Sequence, residues 1–181
     1  MKFIFDFDDV LFDNTKQFKE HMYASLEKAG VPRDKAEEYY KEIGGSQFWL
    51  KEMLAHFSLK ESLYEEILKE SKNHVNKELL SIIKKLGREN CYIVTHGYEE
   101  WQKAKIKSAG IDSLFTEITV VSESKKEAVE IICERHKDEK VLFIDDKARH
   151  FETLDFTKYP NLKTILYDEQ GLEKVMEEIK K

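Results

Sequence analysis

Five short apolar runs, separated by stretches with helical spacing of apolar residues, constrain the fold of this chain most strongly. The runs span three to five residues and begin near Phe3, Cys91, Ile118, Val141 and Thr164. Such runs predict strands buried on both faces, and helical connections between them are typical of parallel sheets. We therefore predict an α/β protein whose parallel sheet is covered by helices on both sides.

The connection after the first run is much longer than the others and contains no predicted strand. Its apolar residues recur at helical spacing, which indicates a small helical bundle inserted after the first strand. The predicted domains are residues 1–12 and 76–181 for the α/β core and residues 13–75 for the inserted helices.

Within the insertion, the segment from Gly44 to Trp49 has two interpretations. It is the best candidate for a loop that reaches over a functional site. Alternatively, it is a turn between two helices, with Phe48 and Trp49 packed inside the bundle. The sequence does not decide between them.

Polar side chains directly follow several of the apolar runs. In parallel sheets the carboxyl ends of the strands meet at one edge, where ligands bind. Lys125 opens the helix after the third run, at that same edge. The residues expected to converge there are Asp6 and Asp8, Thr95, Lys125, and Asp145 and Asp146.

This set of side chains suits one kind of chemistry. Asp6 and Asp8 share a face of an extended chain, where their charges repel unless a cation joins them. A hard divalent ion with oxygen ligands, such as Mg2+, is the natural cation. A metal ion and Lys125 can neutralise a phosphoryl group, and a carboxylate can attack its phosphorus.

The stretch Asp6-Phe7-Asp8-Asp9-Val10-Leu11 resembles the first motif of the haloacid dehalogenase-like hydrolases, D-x-D-G-T/V-L. In the phosphatase branch the first Asp of that motif is the nucleophile and the second is the general acid and base. Asp9 stands where glycine is usual. If this position requires a positive φ, Asp tolerates it less well than glycine does.

Three further motifs follow in the order that the family shows. Thr95 resembles the hydroxyl that grips the phosphoryl oxygens, and Lys125 resembles the motif-three lysine, with Lys126 as its rival. Asp145 and Asp146 resemble the motif-four pair. Between motifs two and three, the stretch from Glu100 through Gln102 and Lys105 to Phe115 is similar to the family's Q-x-x-K, G-I and F pattern.

The resemblance implies a Rossmann-like three-layer α/β/α core with a C1-type helical cap. It also implies a two-step phosphatase, in which Asp6 attacks phosphorus and Asp8 transfers protons. Mg2+ is then held by Asp6, the backbone carbonyl of Asp8 and Asp145, with Asp146 bound to it directly or through water. An acid at position 8 favours phosphoryl chemistry over that of the dehalogenating branch. A phosphomutase and a non-catalytic binding protein on the same fold are the alternatives.

Several of these residues also have ordinary structural interpretations. Asp146 and Thr95 can each cap the helix that follows. His96, which we count among the phosphate-binding residues, can act as an extra acid or base or can simply be a loop histidine that lines the pocket. Lys147, Arg149 and His150 are expected to lie on the surface of a helix running from about Lys147 to Phe156.

Composition excludes some classes of partner. The chain has 181 residues, 36% of them charged, and a formal net charge of -6, which argues against a dedicated nucleic-acid binder. No apolar run approaches the roughly 20 residues that a membrane span needs. We expect a cytoplasmic monomer or homodimer that acts on a small phosphorylated metabolite. Cys91 and Cys133 are expected to be buried free thiols.

Overall fold

A computed structural model describes residues 1–44 and 48–181, and its centre is a sheet of five parallel strands. The strand order is β3-β2-β1-β4-β5. The strands are β1 Lys2–Phe5, β2 Cys91–His96, β3 Glu117–Val121, β4 Val141–Asp145 and β5 Leu162–Leu166. The predicted parallel α/β architecture is confirmed.

Helices cover both faces of the sheet because successive strand residues point to opposite sides. Phe3 and Phe5 pack on one face against helices α5, α6 and α8, whereas Ile4 and Phe143 pack on the other against α7. These helices are α5 Lys77–Leu86, α6 Glu99–Ser108, α7 Lys126–Arg135 and α8 Gly171–Ile179. Cys91 and Cys133 are buried free thiols, as expected.

Four described helices lie between β1 and α5. They are α1 Thr15–Lys28, α2 Arg33–Glu42, α3 Leu50–His56 and α4 Ser62–Lys69. Asn14 caps α1, because its side chain accepts a hydrogen bond from the backbone N–H of Gln17 at 3.1 Å. The helical insertion after the first strand is therefore confirmed as part of the fold.

The two connections between the inserted helices and the sheet run side by side. The backbone N–H of Asp13 donates to the carbonyl of His74 at 3.0 Å, and that of Asn76 donates to the carbonyl of Leu11 at 2.8 Å. Phe12 and Val75 form an antiparallel bridge between these bonds. The insertion is thus attached through one short double-stranded crossing.

Some local predictions were wrong. The helix expected from Lys147 to Phe156 is only a 3-10 turn at Ala148–His150. The third inserted helix begins at Leu50. Gly45, Ser46 and Gln47 lie outside the described residues.

Within residues 1–44 and 48–181, no helix has the length and hydropathy of a membrane span.

Candidate active site

Asp6, Lys125 and Asp145 form a buried ion cluster at the carboxyl edge of the sheet. The strand register places the two acids together, because the backbone N–H of Asp6 donates to the carbonyl of Ile144 at 2.9 Å. Lys125 Nζ lies 2.8 Å from Asp6 Oδ1 and 2.6 Å from Asp145 Oδ2. Burial and the charge of Asp145 raise the pKa of Asp6, while Lys125 opposes that rise.

Asp145 is held by more donors than Lys125 alone. The backbone N–H of Lys147 donates to Asp145 Oδ1 at 2.8 Å, and the His150 ring Nδ1 lies 2.8 Å from Asp145 Oδ2. His150 therefore contacts the site directly and is not an ordinary residue on a helix surface. Its approach follows from the 3-10 turn, which folds the chain back over the end of β4.

Asp146 completes a group of three acids that can hold a metal ion. One oxygen from each of Asp6, Asp145 and Asp146 lies within 4.8 Å of the others. Burial and the two neighbouring aspartates raise the pKa of Asp146 to about 6, against the lowering by Lys147. Asp146 Oδ1 is buried, and no described residue donates to it. Hard oxygen ligands with an unpartnered buried oxygen fit Mg2+.

Asp8 lies apart from this cluster and is bound by two residues of α6. Lys105 Nζ lies 2.6 Å from Asp8 Oδ1, and Gln102 Nε2 donates to Asp8 Oδ2 at 2.7 Å. The three-residue spacing of Gln102 and Lys105 puts both on one face of the helix. The Lys105 side chain is only 5% exposed, and its ammonium lies 5.2 Å from the centre of the Phe7 ring.

These contacts determine the ionisation of Asp8. Burial acts to raise its pKa, but the charge of Lys105 and the hydrogen bonds from Lys105 and Gln102 outweigh burial and lower it. Asp8 is therefore a carboxylate at neutral pH. Its side chain is 21% exposed, so water reaches it.

The turn between Asp6 and Phe12 carries its strain at Asp9, whose φ is +60°. The backbone N–H of Asp9 donates to the carbonyl of Phe12 at 2.8 Å, which closes the turn. The position therefore does need a positive φ, and aspartate adopts it where glycine is usual in the family motif.

The remaining predicted site residues lie on β2 and α7. Thr95 is buried in β2, two residues beyond Ile93, which pairs with Phe5. His96 ends the same strand, and burial lowers its pKa, so the ring is neutral at pH 7. Lys126 is exposed and lies 3.8 Å from Glu130, whereas Lys125 is buried in the cluster. The geometry thus favours Lys125 over Lys126.

A cavity of about 360 Å³ opens beside Asp8, between the inserted helices and the start of α6. His96, Tyr98 and Trp101 line its α6 side, and Phe18 and Tyr40 line its other side. Phe48 also lines this cavity, and Trp49 stacks on Tyr98 with ring centres 5.2 Å apart. The described part of the Gly44 to Trp49 segment therefore contributes to the wall near the site.

Sequence reasoning did not assign Gln102, Lys105 or His150 to the site. The first two stand in the Q-x-x-K stretch, and their helical spacing was a usable signal. Their contact with Asp8 spans more than 90 residues of chain, which no local pattern encodes. His150 was missed because a helix was expected where the chain makes a tight turn.

Comparison with known proteins agrees with this geometry. The family model for haloacid dehalogenase-like hydrolases matches residues 3–154. No curated protein matches the sequence.

Solved structures with the same fold share little sequence with this chain. A haloacid dehalogenase-like hydrolase of Burkholderia xenovorans superposes with a TM-score of 0.65 at 16% identity, covering 95% of this chain and 89% of its own. The hydrolase YfnB of Bacillus subtilis, bound to magnesium, superposes with a TM-score of 0.59 at 19% identity, covering 98% of this chain and 97% of its own. The L-2-haloacid dehalogenase of Xanthobacter autotrophicus superposes with a TM-score of 0.53 at 13% identity, covering 98% of this chain and 81% of its own.

The family model spans most of the chain, including the three acids grouped at one edge of the parallel sheet. The chain belongs to the haloacid dehalogenase-like hydrolase family.

Proposed function

We propose that this hydrolase is a Mg2+-dependent phosphatase that cleaves a small phosphate ester through a phosphorylated Asp6. The observation that supports the proposal most is the placement of four aspartates and Lys125 at a single edge of the sheet. Hydrolysis of phosphoric monoesters uses all of them. In a purely structural cluster, the repulsion among Asp6, Asp145 and Asp146 would destabilise the fold with no compensating function.

Asp6 is suited to act as the nucleophile. Its Oδ1 accepts a hydrogen bond from the backbone N–H of Phe7 at 2.7 Å and also contacts Lys125. No described residue donates to Oδ2, so that oxygen is free to attack phosphorus. Burial raises the pKa of Asp6, and Lys125 acts against that rise by favouring the ionised carboxylate, the form that nucleophilic attack requires.

Asp8 is suited to move the protons. In the first step Asp6 bonds to phosphorus, the P–O bond to the alcohol breaks and Asp8 protonates the leaving oxygen. In the second step a water molecule attacks phosphorus and gives a proton to Asp8, and the bond from phosphorus to Asp6 breaks to release phosphate and the free carboxylate. The lowered pKa of Asp8 suits the second step. In the first step, the approach of the anionic phosphoryl group raises the pKa and makes protonated Asp8 more available.

Asp6, Asp145 and Asp146, with the backbone carbonyl of Asp8, are the proposed Mg2+ ligands. When bound, the ion offsets the negative charge of the phosphoryl oxygens. Lys125 and Thr95 are the proposed phosphate-binding side chains, with neutral His96 at the margin of the cavity. Asp145 stays oriented by Lys125 and the backbone of Lys147.

Two features favour a phosphatase over its relatives. The dehalogenating branch has no acid at the position of Asp8, and here that acid is built into a defined network with Gln102 and Lys105. A phosphomutase must keep water from the phosphorylated aspartate. The exposure of Asp8 to solvent is better suited to hydrolysis.

The test is phosphate release from a panel of small phosphate esters, with and without Mg2+. We expect Mg2+-dependent release by the natural sequence and none by a folded Asp6→Asn variant. Equal release by that variant would remove Asp6 from the reaction. Release of halide from 2-haloacids without any phosphate release would assign the protein to the dehalogenating branch, and dependence on a bisphosphate activator would assign it to the mutases.

A further inference from the structure

We infer that the cavity beside Asp8 selects esters whose alcohol carries a planar aromatic ring with a negatively charged group. This inference rests on the proposed phosphatase function and names the class of its substrate. The cavity starts at Asp8, which protonates the leaving alcohol in that proposal, so the alcohol must lie inside it. Its volume of about 360 Å³ falls within the range of small-molecule sites.

Aromatic side chains form the walls of this cavity, and the two half-buried tyrosine rings each pack against another aromatic ring. Half-buried Tyr98 stacks on Trp49, with the ring planes 18° apart. Half-buried Tyr40 packs on Phe48 with ring centres 4.8 Å apart, and Phe48 meets Trp101 edge to face at 5.7 Å. Rings that are held in place in this way offer a preorganised surface for a flat partner.

The charge on the cavity wall favours an anion. Asp8 is its only lining acid among the described residues, and Lys105 compensates it. Lys19 and Arg149 also line the cavity, and neither has a carboxylate oxygen of a described residue within 4.0 Å. Lys19 Nζ lies 3.6 Å from the centre of the Tyr40 ring, so this cation sits at the aromatic wall.

Burial supports the same reading of Lys19. It lowers the pKa of this lysine, although the more distant Glu37 and Glu20 act against it. A negatively charged substituent would act against this lowering.

Three esters with similar leaving alcohols test the inference: benzyl, cyclohexylmethyl and para-carboxybenzyl phosphate. We expect kcat/KM for the benzyl ester to exceed that for the cyclohexylmethyl ester about tenfold, as aromatic contacts allow. The para-carboxyl group should add a gain of about fivefold, as an ion pair at a half-buried lysine allows. Equal kcat/KM values for all three esters would overturn the inference.

Variants locate the two preferences. Lys19→Met should lower kcat/KM for the para-carboxybenzyl ester about fivefold more than kcat/KM for the benzyl ester. Lys28→Met, on an exposed position of the same helix, should leave the ratio of the two values unchanged. Tyr98→Leu should remove the preference for benzyl over cyclohexylmethyl. If the preference for benzyl over cyclohexylmethyl phosphate and the gain from the carboxyl group both persist in these variants, the substrate ring does not bind in this cavity and the inference is wrong.

Acetyl phosphate separates failure of this inference from failure of the proposed function, because it carries no ring. Mg2+-dependent hydrolysis of acetyl phosphate with no discrimination among the three esters would overturn the inference alone. Absence of hydrolysis of acetyl phosphate and of every ester would overturn both.

Discussion

The two edges of the sheet both gather charged side chains, but they balance charge in opposite ways. At the amino edge, the Glu178 carboxylate, 7% exposed, is surrounded by three lysines, Lys140, Lys163 and Lys181. At the carboxyl edge, four aspartates share three lysines. These are Asp6, Asp8, Asp145 and Asp146, with Lys105, Lys125 and Lys147.

The difference separates structural from functional ion clusters. Cations surround the carboxylate at the amino edge, and its hydrogen bonds lower the pKa of Glu178 well below the ordinary value. Acids exceed cations at the carboxyl edge, where burial raises the pKa values of Asp6 and Asp146. An excess of buried carboxylates over lysines is typical of a functional site, and here a metal ion from solution can balance the excess negative charge.

The largest expected effect is on catalysis at the carboxyl edge. Asp6→Asn should lower kcat for phosphate release at least about 1,000-fold, because the amide cannot form the phosphorylated intermediate. Glu178→Gln is the matched control, and its kcat should stay within about twofold of the parent. Equal losses in the two variants would remove the distinction between the edges.

Lys105 should also be needed for catalysis, although it does not touch the metal group. Lys105→Met should lower kcat about 10- to 100-fold, because Asp8 loses the partner that orients it. Lys103→Met, on an exposed position of the same helix, is the control. Lys105→Arg should recover part of the loss. A folded Lys105→Met protein with the kcat of Lys103→Met would show that the pair only stabilises the fold.

Binding of Mg2+ should distinguish the carboxyl edge of the sheet from the amino edge in an experiment that needs no catalysis. Mg2+ should raise the melting temperature of the parent protein, because it binds the folded state. Asp146→Asn should weaken the Mg2+ affinity about tenfold, since an unpartnered carboxylate oxygen is lost. Thermal unfolding at several Mg2+ concentrations measures both effects. An Asp146→Asn protein with the Mg2+ response of the parent would exclude Asp146 as a ligand.

The amino edge should affect stability alone. Glu178→Gln should lower the free energy of unfolding by about 1 kcal/mol near neutral pH, after allowance for the exposure of its lysines. Because the folded pKa lies below the unfolded one, this contribution is complete above about pH 4.3 and declines as the pH falls toward the folded pKa. Urea unfolding of both proteins at several pH values measures it. A difference that grows on acidification would contradict the assignment.

The smallest effect is expected at the turn of the acidic motif. Asp9→Gly should raise the free energy of unfolding by up to about 1 kcal/mol, because glycine adopts a positive φ without steric cost. Denaturant unfolding measures the change. A clear loss of stability would show that the Asp9 side chain does more than tolerate the turn.

The sequence predicts the parts of this molecule that depend on local patterns. Apolar runs mark the strands, and because parallel strands share an edge, the acids that follow them converge on Asp6 and Asp145. Contacts between distant segments are not encoded in this way. Lys105 reaches Asp8, and His150 reaches Asp145, only because α6 and the turn after β4 pack where they do.

The most direct test of the account is to trap phosphorylated Asp6. The Asp8→Asn protein should still be phosphorylated by acetyl phosphate in the presence of Mg2+, because acetate leaves without a proton. Hydrolysis of the phosphorylated Asp6 should then be slow, because the Asp8 base is missing. Peptide mass spectrometry after acid quench should find one phosphoryl group on Asp6. Continued release of phosphate by this variant with Asp6 unmodified throughout would contradict the account.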